Sequence, residues 1–328
     1  MKKITLSTIV LLTLLLGCKK NTSTELQATT DQVQVISKRS CAAEEAFQAQ
    51  LAADPNLRTR MDQIETFTKS VFANGELSRL VNGVIEIPVV VNVLYRTAEE
   101  NISDAQIQSQ IDVMNADFNA ANKDIRKVPS LFTSSIGNTG LKFVLLSINR
   151  RATDVVSWGA NDAMKFTRRG GIDVTDPTHN LNMWVCNLGQ YLGYSYYPGI
   201  RDAIDGVVIL YSAFGSRSIY RQGTYLADYD LGRTASHEVG HWMNLHHIWG
   251  DDGGSCNGSD LVDDTPNQGA ENYGCPSFPH VSCSNNGDMS MNYMDYTDDA
   301  CMYMFSKGQA QRMLAVFAAG GPRAAIGQ

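Results

Sequence analysis

His237-Glu238-Val239-Gly240-His241-Trp242-Met243-Asn244-Leu245-His246-His247 is the stretch on which the reading of this chain turns. His237 and His241 are four apart, so on a helix they project from one face, one turn from each other. Two neutral imidazoles so placed can grip one Zn²⁺ at ~2.0–2.1 Å. Glu238 lies at the edge of that face, where its carboxylate can take a proton from a water at the metal. A catalytic zinc keeps three protein ligands and one open position. His247 can supply the third ligand if the helix stops and the chain turns back, and Asn244 suits that stop because Asn tolerates left-handed backbone. His246 points elsewhere. Three of the six histidines fall at this spacing.

Around this stretch, the 328 residues are 43% hydrophobic and 19% charged, enough for a large core and unlike a disordered or collagen-like chain. The net charge of −7 leaves no basic footprint for nucleic acid. Ten of the 34 acids fall in residues 251–300, which hold no Lys or Arg. The rest of the chain therefore carries 27 basic against 24 acidic residues, about +3. So acidic a segment must be solvated or hold cations.

Lys2 and Lys3 precede an apolar run, Ile4 to Leu16, that fits the ~7–15-residue core of an export signal and falls short of the ~20 needed to span a bilayer. Leu15-Leu16-Gly17-Cys18 resembles a lipobox, with Cys18 as the lipidated mature N-terminus. A plain signal peptide is the alternative. The protein is expected to be exported, and either lipid-anchored or released. Export favours disulfides. Cys256, Cys275, Cys283 and Cys301 cluster and allow three pairings. Cys41 stands alone, and Cys186, inside an apolar strand, reads as a buried free thiol.

Residues 19–40 read as a polar tether. Residues 42–73 have helical spacing interrupted at Asp54-Pro55. Strands are expected at Ile85–Tyr95, Leu141–Ile148, Leu181–Leu188 and Val207–Tyr211. Helices are expected after Ser103, over about 233–245, and near Ser306–Ala319.

His-Glu-x-x-His-x-x-(Gly/Asn)-x-x-His resembles the metzincin signature. Asn292-Tyr293-Met294-Asp295-Tyr296 looks like the metzincin Met-turn. His-Glu-Val-Gly-His-Trp followed by Asn-Tyr-Met-Asp-Tyr is most similar to the pappalysin family, and the likeness runs from Cys41 to the last helix. It includes Trp184–Leu188 and Gly193–Pro198. Asn244 replaces the Gly of many metzincins.

The resemblance implies an α/β (α+β) metzincin-like fold. A twisted mixed sheet with backing and active-site helices would lie over a loop-rich, disulfide-stapled C-terminal subdomain. It further implies Met294 as an apolar floor under the imidazoles and Tyr296 as an oxyanion-stabilising phenol. Structural Ca²⁺ would be held by Asp260, Asp263 and the carbonyl of Thr265. The bridges would be Cys256–Cys283 and Cys275–Cys301. Cys41 would sit on zinc and hold the enzyme latent, with maturation near Ser78-Arg79. Some relatives cleave before basic residues; here Ala300 stands beside the cysteine where an acid would suit that preference, and Asp298 and Asp299 are close by.

The expected organisation is a signal at 1–17, tether and pro-segment at 18–80 and a catalytic domain at 81–328. The expected protein is a monomeric, zinc-dependent endopeptidase with Glu238 as base. Its partners would be a protein or peptide substrate paired with an edge strand near Gly193–Tyr197, and its own pro-segment as inhibitor. It would touch membrane only through lipid, and no nucleic acid. A surface adhesion protein on the same scaffold, or a purely structural metal, would be the competing readings.

Overall fold

Asp54 divides the first helical region of the computed structural model into α1 (Ala43–Ala53) and α2 (Leu57–Asn74), and α2 stops at Gly75 in left-handed backbone. The structure describes Ile36, residues 38–75 and residues 84–326. The signal at 1–17, Cys18, residues 19–35 of the expected tether and the Ser78-Arg79 processing site lie outside the described residues. Residues 38–40, expected to belong to that tether, are packed instead, with Arg39 buried and Ser40 O accepting from Leu192 N. Residues 38–75 fall in the same compact unit as residues 84–326. Phe67 and Val71 of α2 lie against Ala315 and Ala318.

β1 (Glu86–Tyr95) is the centre of a five-stranded sheet. Val89 through Leu94 are completely buried, which explains an apolar run without alternation: both faces are covered. α3 (Asp104–Asp117) follows, its first turn capped by the Ser103 hydroxyl accepting from Gln106 N at 3.2 Å. β2 (Lys142–Ala152) and β3 (Leu181–Cys186) flank β1 in parallel. β4 (Gly193–Ser195) is antiparallel to β5 (Val207–Leu210), and the sheet order is β2-β1-β3-β5-β4. One edge is therefore the three-residue β4, within the expected Gly193–Tyr197.

The sequence misplaced several ends. β2 runs four residues past Ile148, because its ladder with β1 continues to Tyr95 and Ala152 and an edge strand leaves room for Arg150 and Arg151. β3 and β5 stop short of Leu188 and Tyr211. α4 spans Arg233–Trp242, three residues shorter than expected, and α5 spans Lys307–Ala315, closed at its start by the Ser306–Gln309 capping box.

Between α4 and α5, residues 248–306 contain no α-helix or β-strand. Disulfides Cys256–Cys283 and Cys275–Cys301 staple this half in the pairing the resemblance implied. Buried or turned carboxylates take over the role of a ladder. Asp252 accepts from the amides of Gly254, Ser255, Asn257 and Gly258, and Asp295 from the amides of Asn272 and Tyr296.

Candidate metal centre

All ten residues of α4 are buried. The helix starts at Gly232, and the Asp299 carboxylate accepts from Leu231 N at 2.9 Å and Arg233 N at 3.2 Å. A carboxylate there satisfies orphan amides and suits the positive end of the helix. The other end closes as a Schellman turn. Asn244 is left-handed (φ 74), its N–H donates to His241 O at 2.8 Å, and Leu245 N donates to Gly240 O at 2.9 Å. That stop brings His247 back toward the helix.

The three imidazoles then converge. His237 Nδ1 faces Tyr293 O at 2.7 Å, His241 Nδ1 faces Leu245 O at 2.8 Å, and His247 Nδ1 faces the Asp251 carboxylate at 2.8 and 3.0 Å. Each acceptor fixes the proton on Nδ1 and leaves the Nε2 lone pair free. Those lone pairs face one another: His241 Nε2 is 3.2 Å from that of His237 and 3.1 Å from that of His247. Three lone pairs so close repel unless a cation lies among them. Nitrogens bound tetrahedrally to zinc at ~2.0–2.1 Å would be about 3.3–3.4 Å apart, so the donor set fits such an ion. Burial lowers the pKa of His237 and His241, keeping them in the neutral form that binds metal. His246 lies outside the cluster and stacks on Tyr197 at 4.6 Å between centroids.

Glu238 faces β4. Ser195 donates to its backbone O at 2.7 Å and lies 3.2 Å from its Oε2. A Cβ on Gly193 would come within 2.9 Å of Glu238 Cγ, so only glycine leaves room for this side chain. Burial pushes the Glu238 carboxyl up to about 7, against hydrogen bonds from Cys41 and Ser195 that lower it. Met294 is fully buried beneath α4, its Sδ 2.5 Å from where a Cβ on Gly240 would stand. The Tyr296 hydroxyl lies 3.2 Å from His247 Nε2.

The N-terminal segment fills the cleft. Cys41 bridges Gly193 in parallel, Ala42 N donates to Gly193 O at 3.0 Å and Leu192 N to Ser40 O at 2.9 Å. Cys41 Sγ and a ring nitrogen from each of the three histidines lie within 4.8 Å of one another. Burial and the Glu238 charge push the thiol pKa up; a cation at the imidazoles would reverse this, since a coordinating thiol is deprotonated. Two residues earlier, Arg39 is buried: Nη2 donates to Asp299 Oδ1 at 2.6 Å, Nε to Thr297 O at 3.1 Å and Nη1 to Thr234 Oγ1 at 3.1 Å.

The acidic loop is different. Asp260 is buried and accepts from Val262 N and the Thr265 hydroxyl, and burial pushes its carboxyl up to about 7. Asp264, which the sequence reading passed over, accepts from Ser306 Oγ and Gly308 N at the start of α5. Sequence reasoning also missed Asp251, Ser195 and the Arg39–Asp299 pair. An acid four residues after the third histidine was a readable hint for Asp251. Nothing in the sequence separates Ser195 from other strand serines.

Comparisons with known proteins give the family. The peptidase M43 family, described as pregnancy-associated plasma protein-A, matches residues 209–318. An extracellular metalloprotease of Pyricularia oryzae is 35% identical over 259 residues, 75% of this chain and 79% of that protein. One from Arthroderma benhamiae is 33% identical over 266 residues, 77% of each. Mature mirolysin of Tannerella forsythia, solved with a cleaved peptide, is 46% identical with a TM-score of 0.71, covering 75% of this chain and 96% of that one. A glutamate-to-alanine mutant of promirolysin is 41% identical with a TM-score of 0.76, covering 88% and 96%. With a proform and a mature form of one relative both matching, and with metalloproteases aligned over three quarters of its length, the chain belongs to the M43 (pappalysin) family and is a metalloendopeptidase.

Proposed function

We propose that the protein is an exported zinc endopeptidase made as a latent zymogen, in which residues 18–80 are tether and pro-segment and 81–328 the catalytic domain. The observation that carries this reading is the triad of Nε2 atoms, 3.2 and 3.1 Å apart along two of its edges, with Cys41 beside it. His237, His241 and His247 would hold zinc, which when bound acts as a Lewis acid toward water and the scissile carbonyl. Glu238 takes the proton of the attacking water and delivers it to the leaving amine. A carboxyl tuned to about 7 is matched to both transfers near neutral pH. Ser195 holds the carboxylate toward the cleft. Tyr296 donates its phenol proton in a hydrogen bond to the oxyanion, and Met294 packs as the floor.

Beside the three imidazoles, Cys41 would take the position that water needs on a bound ion, so activity would require removal of the pro-segment. The Arg39 side chain marks a pocket whose end is Asp299, held in place by two amides at the start of α4. That pocket accepts a basic side chain next to the scissile bond. Substrate backbone would add to β4 where residues 40–42 now lie. The export signal with Cys18 lipidation, and structural Ca²⁺ at Asp260, Asp263 and the Thr265 carbonyl, complete the reading. Zinc content of pro-segment-free protein, and casein digestion with and without chelator, test it. One equivalent of zinc and chelator-sensitive cleavage are expected; a metal-free yet active enzyme would overturn it.

A further inference from the structure

The Schellman turn that delivers His247 leaves carbonyls at the end of α4 without amide partners in the turn. Two arginines from the C-terminal segment take two of them. Arg323 Nε donates to Trp242 O at 2.9 Å, and Arg312 Nε donates to Asn244 O at 2.6 Å. Both guanidiniums are buried and both approach the negative end of a helix dipole. What their other nitrogens hold is different. Arg323 makes two bonds to Asp205, at 2.7 and 2.9 Å, within the domain that begins at β1. Arg312 Nη2 donates to Glu65 Oε2 at 2.7 Å, and Glu65 belongs to α2 of the N-terminal segment.

Asn244 is the left-handed residue of the turn, and the next carbonyl, Leu245 O, is the one that orients His241. A guanidinium on Asn244 O thus acts one peptide away from the acceptor that aims one ligand and three residues before another. We infer that Arg312 is a positioning residue for the metal turn, and that the pro-segment grips the same guanidinium through Glu65, tying its helix to the metal site from behind, away from the cleft. This rests on the zinc reading above. The Arg323–Asp205 pair stays when the pro-segment leaves; the Arg312–Glu65 pair does not. The positive charge of Arg312 also favours the ionised form of Asp260 in the acidic loop, against the burial that raises its carboxyl.

The test uses the mature enzyme for one residue and the zymogen for the other. In mature protein, Arg312→Gln is expected to weaken zinc by about 10–100-fold in competition with a chelator, the range typical of losing a group that orients metal ligands. The visible spectrum of its Co²⁺ form should also shift, as a change in ligand geometry requires. Arg312→Lys, which keeps charge but not the fork, should fall between. In the zymogen, Glu65→Gln removes a charge-assisted hydrogen bond and should shorten the activation time by about 10-fold or more. The mature product of that variant is the same polypeptide and keeps wild-type zinc affinity. Zinc affinity and a Co²⁺ spectrum unchanged in both Arg312 variants would overturn the positioning role, whatever their melting temperature. Unchanged activation of Glu65→Gln would overturn the grip. A wild-type mature protein without zinc would instead refute the reading of the site itself.

Discussion

The two halves of the molecule keep their shape by different means. Above the cleft, β1–β5, α3 and α4 are held by backbone ladders and by a core in which both faces of β1 are covered. Below it, residues 248–306 have two disulfides and a set of carboxylates that accept backbone amides one by one. The histidine cluster lies on the seam. The upper half gives His237, Glu238 and His241 on one helix; the lower half gives Asp251, Met294 and Tyr296 on loops. The proposed site therefore combines a rigid helix that carries two imidazoles and a carboxylate with irregular loops that aim and cover them.

The largest effect should come from the upper half. Glu238→Gln removes the proton carrier while leaving all three imidazoles, so turnover should fall by about 10²–10⁴-fold with zinc content unchanged. Near-normal cleavage by this variant would remove Glu238 from its role. In the lower half, replacing both Cys275 and Cys301 with Ser should cost about 2–5 kcal/mol in denaturant unfolding. If that cost is absent, the carboxylate–amide bonds alone hold the loops and the contrast between the halves weakens. Across the seam, Asp251→Asn should loosen zinc by about 10–100-fold in chelator competition while leaving the melting temperature close to wild type. Gly240→Ala, on the helix above Met294, forces a side chain into a filled space and should cost about 1–3 kcal/mol.

The smallest effect concerns pH. Burial raises the Asp295 carboxyl to about 6 although Gln268, Asn272 and Tyr296 donate to it. A carboxyl whose folded-state pKa lies above its unfolded value binds more protons when folded. Its contribution is present at about pH 4 and is lost as pH rises through 6. The melting temperature of Asp295→Asn relative to wild type should therefore improve over that interval. A constant difference would show that Asp295 is charged throughout.

Much of the upper half was readable because its elements have a period. The β-branched run at β1, the face of α3 and the spacing of His237 and His241 all follow from strand or helix geometry. Asn244 was readable for a similar reason, since few residues accept a left-handed turn. Element ends were less so: β2 continues for as long as β1 offers a partner, which its own residues do not record. In the lower half the cysteine pairing came from family likeness, because four cysteines by themselves allow three answers.

The amino-acid sequence by itself determined the helix that presents two imidazoles and a carboxylate, the turn that follows, and the class of chemistry they serve, because these are local patterns set by backbone geometry. Only the tertiary structure decided that Asp251 faces His247, that Ser195 faces Glu238, that Asp299 receives Arg39 and that Arg312 joins Asn244 to Glu65. Each of those pairs joins different elements or loops, and the folded core, not the local sequence, sets the distance between them.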